Sequence, residues 1–264
     1  MTRLSHWLED IGLLLNTAKT QVLFIRPRGN FAAPPSTVIC RDQILEVTKV
    51  AKYLGVFIDD ELTWKPHIDH LAKKCSVTTG QLWRHGRCLS LRARRLWYTS
   101  MIISHLCYAS NCFFPSLKKS LLQRLIRMSK ARIRAVFQAP RRSSTGPLLE
   151  RLSLPTLHHI YAEKLLVFVF RTLHSRISSQ FQTYFSLLGP LRTPALLERV
   201  VTRGQVHNLV RVPFVPNPAG RASMQFLGSV VWNALPDSVR SNGDLTSFKC
   251  SISKLDLEAL VLHT

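Results

Sequence analysis

The chain has 264 residues, 46% of them hydrophobic and 19% charged, which is enough apolar material for a core and too little charge for a disordered segment. A formal net charge of +21 makes a polyanionic partner the natural expectation, nucleic acid ahead of an anionic membrane. The longest unbroken apolar run, Leu165-Leu166-Val167-Phe168-Val169-Phe170, is far short of a membrane span. Glu9 and Asp10 interrupt the first residues before any signal-like core, so the protein is expected to be intracellular, nuclear or cytoplasmic, neither secreted nor transmembrane.

Residues 3–11 place Leu4, Trp7, Leu8 and Ile11 on one side of a short helix, and Gly12 is a plausible stop. Gln21–Ile25 reads as a buried strand. Pro and Gly then mark a loop through Pro35. Thr37–Cys40 and Gln43–Val47 flank Arg41-Asp42, a two-residue hairpin candidate. Tyr53–Ile58 reads as a further strand, apolar apart from Gly55 and the Tyr hydroxyl.

From Trp64 the hydrophobic period becomes helical. Pro66 suits a first turn, Ile68, Leu71, Cys75 and Leu82 share one face, and Lys65, Lys73 and Lys74 lie elsewhere on the cylinder. A second helix is expected to start at Ser90, a good N-cap. Residues 116–137 form the clearest helix, with Leu121, Leu122, Leu125, Ser129, Ile133 and Val136 as its core stripe. Pro147 and Pro155 each suit a helix start, residues 156–174 read as a long buried helix, and 189–221 look irregular. Helices over 223–235 and 245–260 close the chain. The expected fold class is α+β, mainly α, in three regions: 1–63, 64–142 and 143–264.

Charge is concentrated in the middle region. Residues 64–142 hold seventeen Lys and Arg against one acid, Asp69, whereas residues 1–63 balance seven against seven. A helical surface of one sign lacks the mixture that ordinary surfaces show, and it would neutralise phosphates without reading sequence. The candidate binding residues are Lys73, Lys74, Arg92, Arg94, Arg95, Arg124, Arg127, Lys130, Arg134, Arg141 and Arg142. Trp83, Trp97 and Tyr98 could stack on unpaired bases, but aromatics at helical spacing are expected in the core.

Asp59 and Asp60 behind an apolar strand mimic the carboxylates of a two-metal nucleotidyl transferase. No suitable third carboxylate comes from an earlier strand, and a helix opens almost at once. A cap or first-turn role for one of the pair is therefore expected. His67, His70 and Cys75 lack a fourth ligand at zinc spacing. The six cysteines show no CxxC pair and read as free thiols, with a zinc site from Cys75, Cys88, Cys107 and Cys112 the alternative.

The series Trp7…Gly12-Leu13-Leu14-Leu15-Asn16-Thr17-Ala18-Lys19-Thr20, Lys52-Tyr53-Leu54-Gly55-Val56 and Leu62-Thr63-Trp64-Lys65-Pro66-His67-Ile68 resembles the reverse transcriptase of LINE-type (non-LTR, jockey-like) retrotransposons. Val231-Trp232-Asn233-Ala234-Leu235-Pro236 and Ser247-Phe248-Lys249 are similar to the tail of those proteins. The resemblance implies a carboxy-terminal fragment of an RNA-directed DNA polymerase: a residual palm edge with a small β-hairpin remnant, a basic helical thumb and a helical tail. It implies that Tyr53, Leu54 and Gly55 correspond to the primer grip and Lys19 to the proposed general acid. The family's catalytic aspartates, with the Mg²⁺ that the intact enzyme uses, would lie upstream of residue 1. No cofactor is then expected for this chain, which would be inactive alone, with template–primer and the upstream half of the polymerase as partners. The alternative is a stand-alone basic helical RNA- or DNA-binding module unrelated to polymerases.

Overall fold

The computed structural model describes residues 6–8, 10–13, 16, 19–26, 35, 37–40, 43–188 and 208–262. The protein is mainly helical with two small antiparallel hairpins, and it divides into two compact units, Met1–Lys74 and Cys75–Thr264. The division falls inside the first long helix, and the regions 75–142 and 143–264 lie in one unit.

In the first unit, residues 6–8 and 10 are helical and Gly12 follows at φ +74°, a conformation that ends a helix at little cost for glycine. Strand β1 (Thr37–Cys40) pairs antiparallel with β2 (Gln43–Glu46), with Cys40 opposite Gln43, so the expected hairpin forms around positions 41 and 42, which lie outside the described residues. The stretch 21–25 departs from its reading as a buried strand. It makes one parallel bridge, Val22 to Val47, and Ile25 is exposed. One bridge leaves most of its backbone groups outside any ladder, so no buried strand can be built there.

The stretch 53–58 is corrected as well. Strands β3 (Val50–Tyr53) and β4 (Val56–Asp59) fold back on each other, with Tyr53 opposite Val56 and Leu54-Gly55 as the two-residue turn. Leu54 and Gly55 both have positive φ, +46° and +83°, the pattern of a turn whose twist matches antiparallel strands. An apolar run is continuous in both cases; only the glycine betrays the turn.

Helix α1 (Lys65–His85) starts where the period change predicts, with Pro66 in its first turn and Ile68, Leu71, Cys75 and Leu82 all buried. Helix α2 (Leu91–Trp97) is capped by Ser90, whose hydroxyl accepts from the Ala93 N–H at 3.2 Å. It continues through a π-helical turn (Tyr98–Ile103) into α3 (Ser104–Cys107) and, past a kink at Ala109, α4 (Ser110–Phe113). The clearest sequence helix becomes α5 (Lys119–Phe137), and Gln138 ends it at φ +53°. The Gln138 side-chain amide donates to the carbonyls of Leu82 and Ala135, which ties α1 to α5.

After α6 (Gly146–Leu152), the core of the second unit is built on α7 (Leu157–Leu173), capped by Thr156. Short helices α8 (Pro218–Arg221), α9 (Met224–Asn233), α10 (Asp237–Arg240), α11 (Leu245–Ile252) and α12 (Leu257–Leu262) follow. The single helix expected over 245–260 is thus two, broken at Ser253–Asp256. Phe170 stacks on Phe248 with centroids 4.6 Å apart, and Trp232 lies 5.6 Å from Phe248. Gly228 permits the close approach of α9: a Cβ there would meet Phe185 at 2.9 Å and Val169 at 3.1 Å. Of the irregular 189–221 segment, residues 208–217 carry no helix or strand beyond a bridge from Val210 to Leu187.

Candidate nucleic-acid interface

Asp59 closes β4 almost fully buried. Its two carboxylate oxygens accept from the backbone N–H groups of Thr63 and Trp64, each at 2.8 Å. Those bonds hold a loop in which Leu62 and Trp64 both take left-handed φ, +53° and +63°, a conformation bulky side chains avoid. The Trp64 carbonyl then accepts the first bond of α1, from Ile68. Both carboxylate oxygens of Asp59 are thus engaged in starting a helix, as a cap role requires. The structural role expected for one of the two falls to Asp59.

Lys19 stands exposed in a turn organised by Asn16, whose side-chain and backbone oxygens both accept from the Lys19 N–H at 3.2 Å. Thr20 donates to the same Asn16 carbonyl. At the β3–β4 tip, Tyr53 and Leu54 are 66% and 73% exposed, so the expected grip residues are presented rather than packed.

His67, in the first turn of α1, is buried, and its pKa is lowered to about 4, first by burial and then by His70. It is neutral in the fold at pH 7. His70 lies against Phe57, ring centroids 4.8 Å apart. Among the described residues, no three His, Cys, Asp or Glu side chains gather as a metal-binding group. Cys75 and Cys107 are buried, while Cys88, Cys112 and Cys250 are exposed.

The basic residues sort into two kinds. Lys73 and Lys74 at the end of the first unit are exposed. In the second unit, Arg92, Arg95, Arg127 and Lys130 are exposed on helices, and Arg141 and Arg142 are exposed in the turn after α5. Arg124 is half-buried. Arg94 is also half-buried and corrected in role: its Nη1 donates to the Val136 carbonyl at 2.7 Å, bracing α2 against α5. Arg134 spends its Nε on the Ser143 carbonyl at 2.8 Å.

One arginine escaped the sequence reading. Arg132 sits on the core stripe of α5, 93% buried by the measure of its 7% exposure. Its Nη1 donates to the Met128 carbonyl and its Nη2 to the Ser76 hydroxyl. Burial lowers its pKa, and no carboxylate pairs with it among the described residues. The signal was its phase between Ser129 and Val136, where an apolar residue belongs. Trp83 errs the other way: expected in the core, it is 40% exposed, whereas Tyr98 is buried and Trp97 half-buried.

The late motif is structural. Trp232 Nε1 donates to the Asn208 carbonyl at 2.9 Å. The Asn233 amide exchanges two 2.8 Å bonds with the backbone of Val210, imitating a strand partner. Arg240, buried, donates to the carbonyls of Asn233 and Leu235 and pairs with Asp237. Together they close the turn after α9.

Comparison with protein-family models, curated proteins and solved structures found no match. No helix among the described residues is long and apolar enough to cross a membrane.

Proposed function

We propose that this chain is the nucleic-acid-holding part of a LINE-type reverse transcriptase: a primer-grip-like hairpin and a basic helical thumb and tail. The chain grips the phosphate backbone of template–primer and performs no nucleotidyl transfer itself. The observation that carries the reading is the set of exposed cations on α2, α5 and the 138–145 loop, in a stretch holding one acid. Such a surface gains affinity by releasing counterions, whatever the base sequence. The commitment of both Asp59 oxygens to backbone N–H groups supports a structural role for that carboxylate. The exposed Tyr53-Leu54 tip supports a contact element at the hairpin.

The test is a binding comparison. Fluorescence anisotropy with an RNA–DNA template–primer and with a blunt DNA duplex of equal length is expected to show tighter binding of template–primer. Equal affinity for the two would favour a general basic module instead.

A further inference from the structure

Ser76, Gly80 and Trp83 follow one another at i, i+4 and i+7 on α1, and with Arg132, Arg134 and Arg141 they line an open groove of about 350 Å³. That volume lies within the range of small-molecule sites, about 300–1,000 Å³. All of these residues belong to the second unit. Gly80 leaves space above the groove: a Cβ there would meet nothing within 4 Å. The lining includes an indole that is 40% exposed and three arginines, with no acid among the lining residues.

Arg132 is a buried cation without a carboxylate partner, and its Nε has no hydrogen-bond partner. Burying a charge without a counter-charge is unfavourable, so an anion entering the groove beside Arg132 is favoured by attraction to it. Arg134 is fixed through Nε to the Ser143 carbonyl, which leaves its Nη atoms for a ligand. A lining of arginines and an aromatic side chain fits a ligand that joins an anion to a flat ring.

We propose that this groove holds one unpaired nucleotide of a bound strand, with its base on Trp83 and its phosphate at Arg134 and Arg141, beside Arg132. The inference rests on the nucleic-acid reading above and sharpens it: the helices grip backbone anywhere, whereas this groove selects single-stranded segments. Base stacking on an aromatic side chain is sequence-tolerant, so a preference for unpaired over paired strands is expected, not a preference among bases.

The experiment measures affinities of the full chain for a twelve-nucleotide oligothymidine and for a twelve-base-pair blunt duplex, by anisotropy at fixed salt. Wild type binds the oligothymidine more tightly than Trp83→Ala does, by between about five- and about 150-fold per stacked base. Trp83→Phe keeps most of that affinity. Gly80→Leu, which fills the groove and leaves Trp83 in place, loses it. Duplex affinity and its salt dependence are unchanged in all three variants. Wild-type affinity for oligothymidine in both Trp83→Ala and Gly80→Leu overturns the groove while leaving the backbone reading intact. Saturable quenching of tryptophan fluorescence by free thymidine monophosphate, with no gain from the longer strand, assigns the groove to a mononucleotide and overturns the strand proposal. Failure of wild type to bind any of these probes overturns both readings.

Discussion

Asp59 and His67 carry the residue-scale consequences. Replacing Asp59 with Ala removes two acceptors from buried backbone donors and releases the left-handed loop before α1. The expected cost is about 2–4 kcal/mol, read from urea denaturation. Asp59→Asn keeps one oxygen and should lose about half as much. His67 titrates in the opposite sense to a paired histidine. Its folded pKa lies near 4, below the ordinary 6.5, so the unfolded chain takes up the proton first. The stability it allows is fully present above about pH 6.5 and falls as pH drops toward about 4, by about 3 kcal/mol at most. His70 and His174 are lowered too, so the wild-type curve sums several groups. The difference between wild type and His67→Leu isolates one: the variant should show the shallower loss of stability from pH 6.5 to 4, and parallel curves would mean that His67 does not titrate with folding.

The elements divide by how much of their cause is local. Helices α1, α2, α5 and α7 were legible because caps, prolines and apolar period agree with one another, as at Ser90 and Pro66. The β3–β4 hairpin was not, since an apolar run looks the same straight or folded and Leu54 is an unusual turn residue. Trp83 was misplaced because its residue type argued for the core while its phase lies off the buried stripe of α1, and Arg132 passed unread although its phase puts it on the buried stripe of α5. Two glycines test the packing account on the elements themselves. Gly228→Ala should destabilise by about 1–3 kcal/mol, because its Cβ would collide with Phe185 and Val169. Gly80→Ala meets open space and should stabilise by about 0.5–1 kcal/mol through helix propensity alone. Thermal unfolding of the two variants should move in opposite directions, and a shift of the same sign in both would undo this reading of α1 and α9.

Across the whole molecule, the densest run of exposed cations lies in residues 84–142, ahead of the apolar cluster that the second unit draws from residues 162–257. The first unit exposes Ile39, Ile44, Tyr53 and Leu54 on its two hairpins. Two-stranded hairpins of this size bury little by themselves, which leaves these apolar side chains at the surface. The charge distribution was readable from the sequence directly; which cations face solvent was not, because Arg94 and Arg134 are bound by carbonyls many residues away, at Val136 and Ser143. If the exposed cations of the second unit hold phosphate, a salt titration of template–primer binding reads how many of them do so. With about six phosphate contacts, log affinity should fall against log salt with a slope near −5. Replacing Arg92, Arg95, Arg127 and Lys130 with Gln should flatten that slope to about −2 while leaving the unfolding transition in place. An unchanged slope in the fourfold variant would contradict the account.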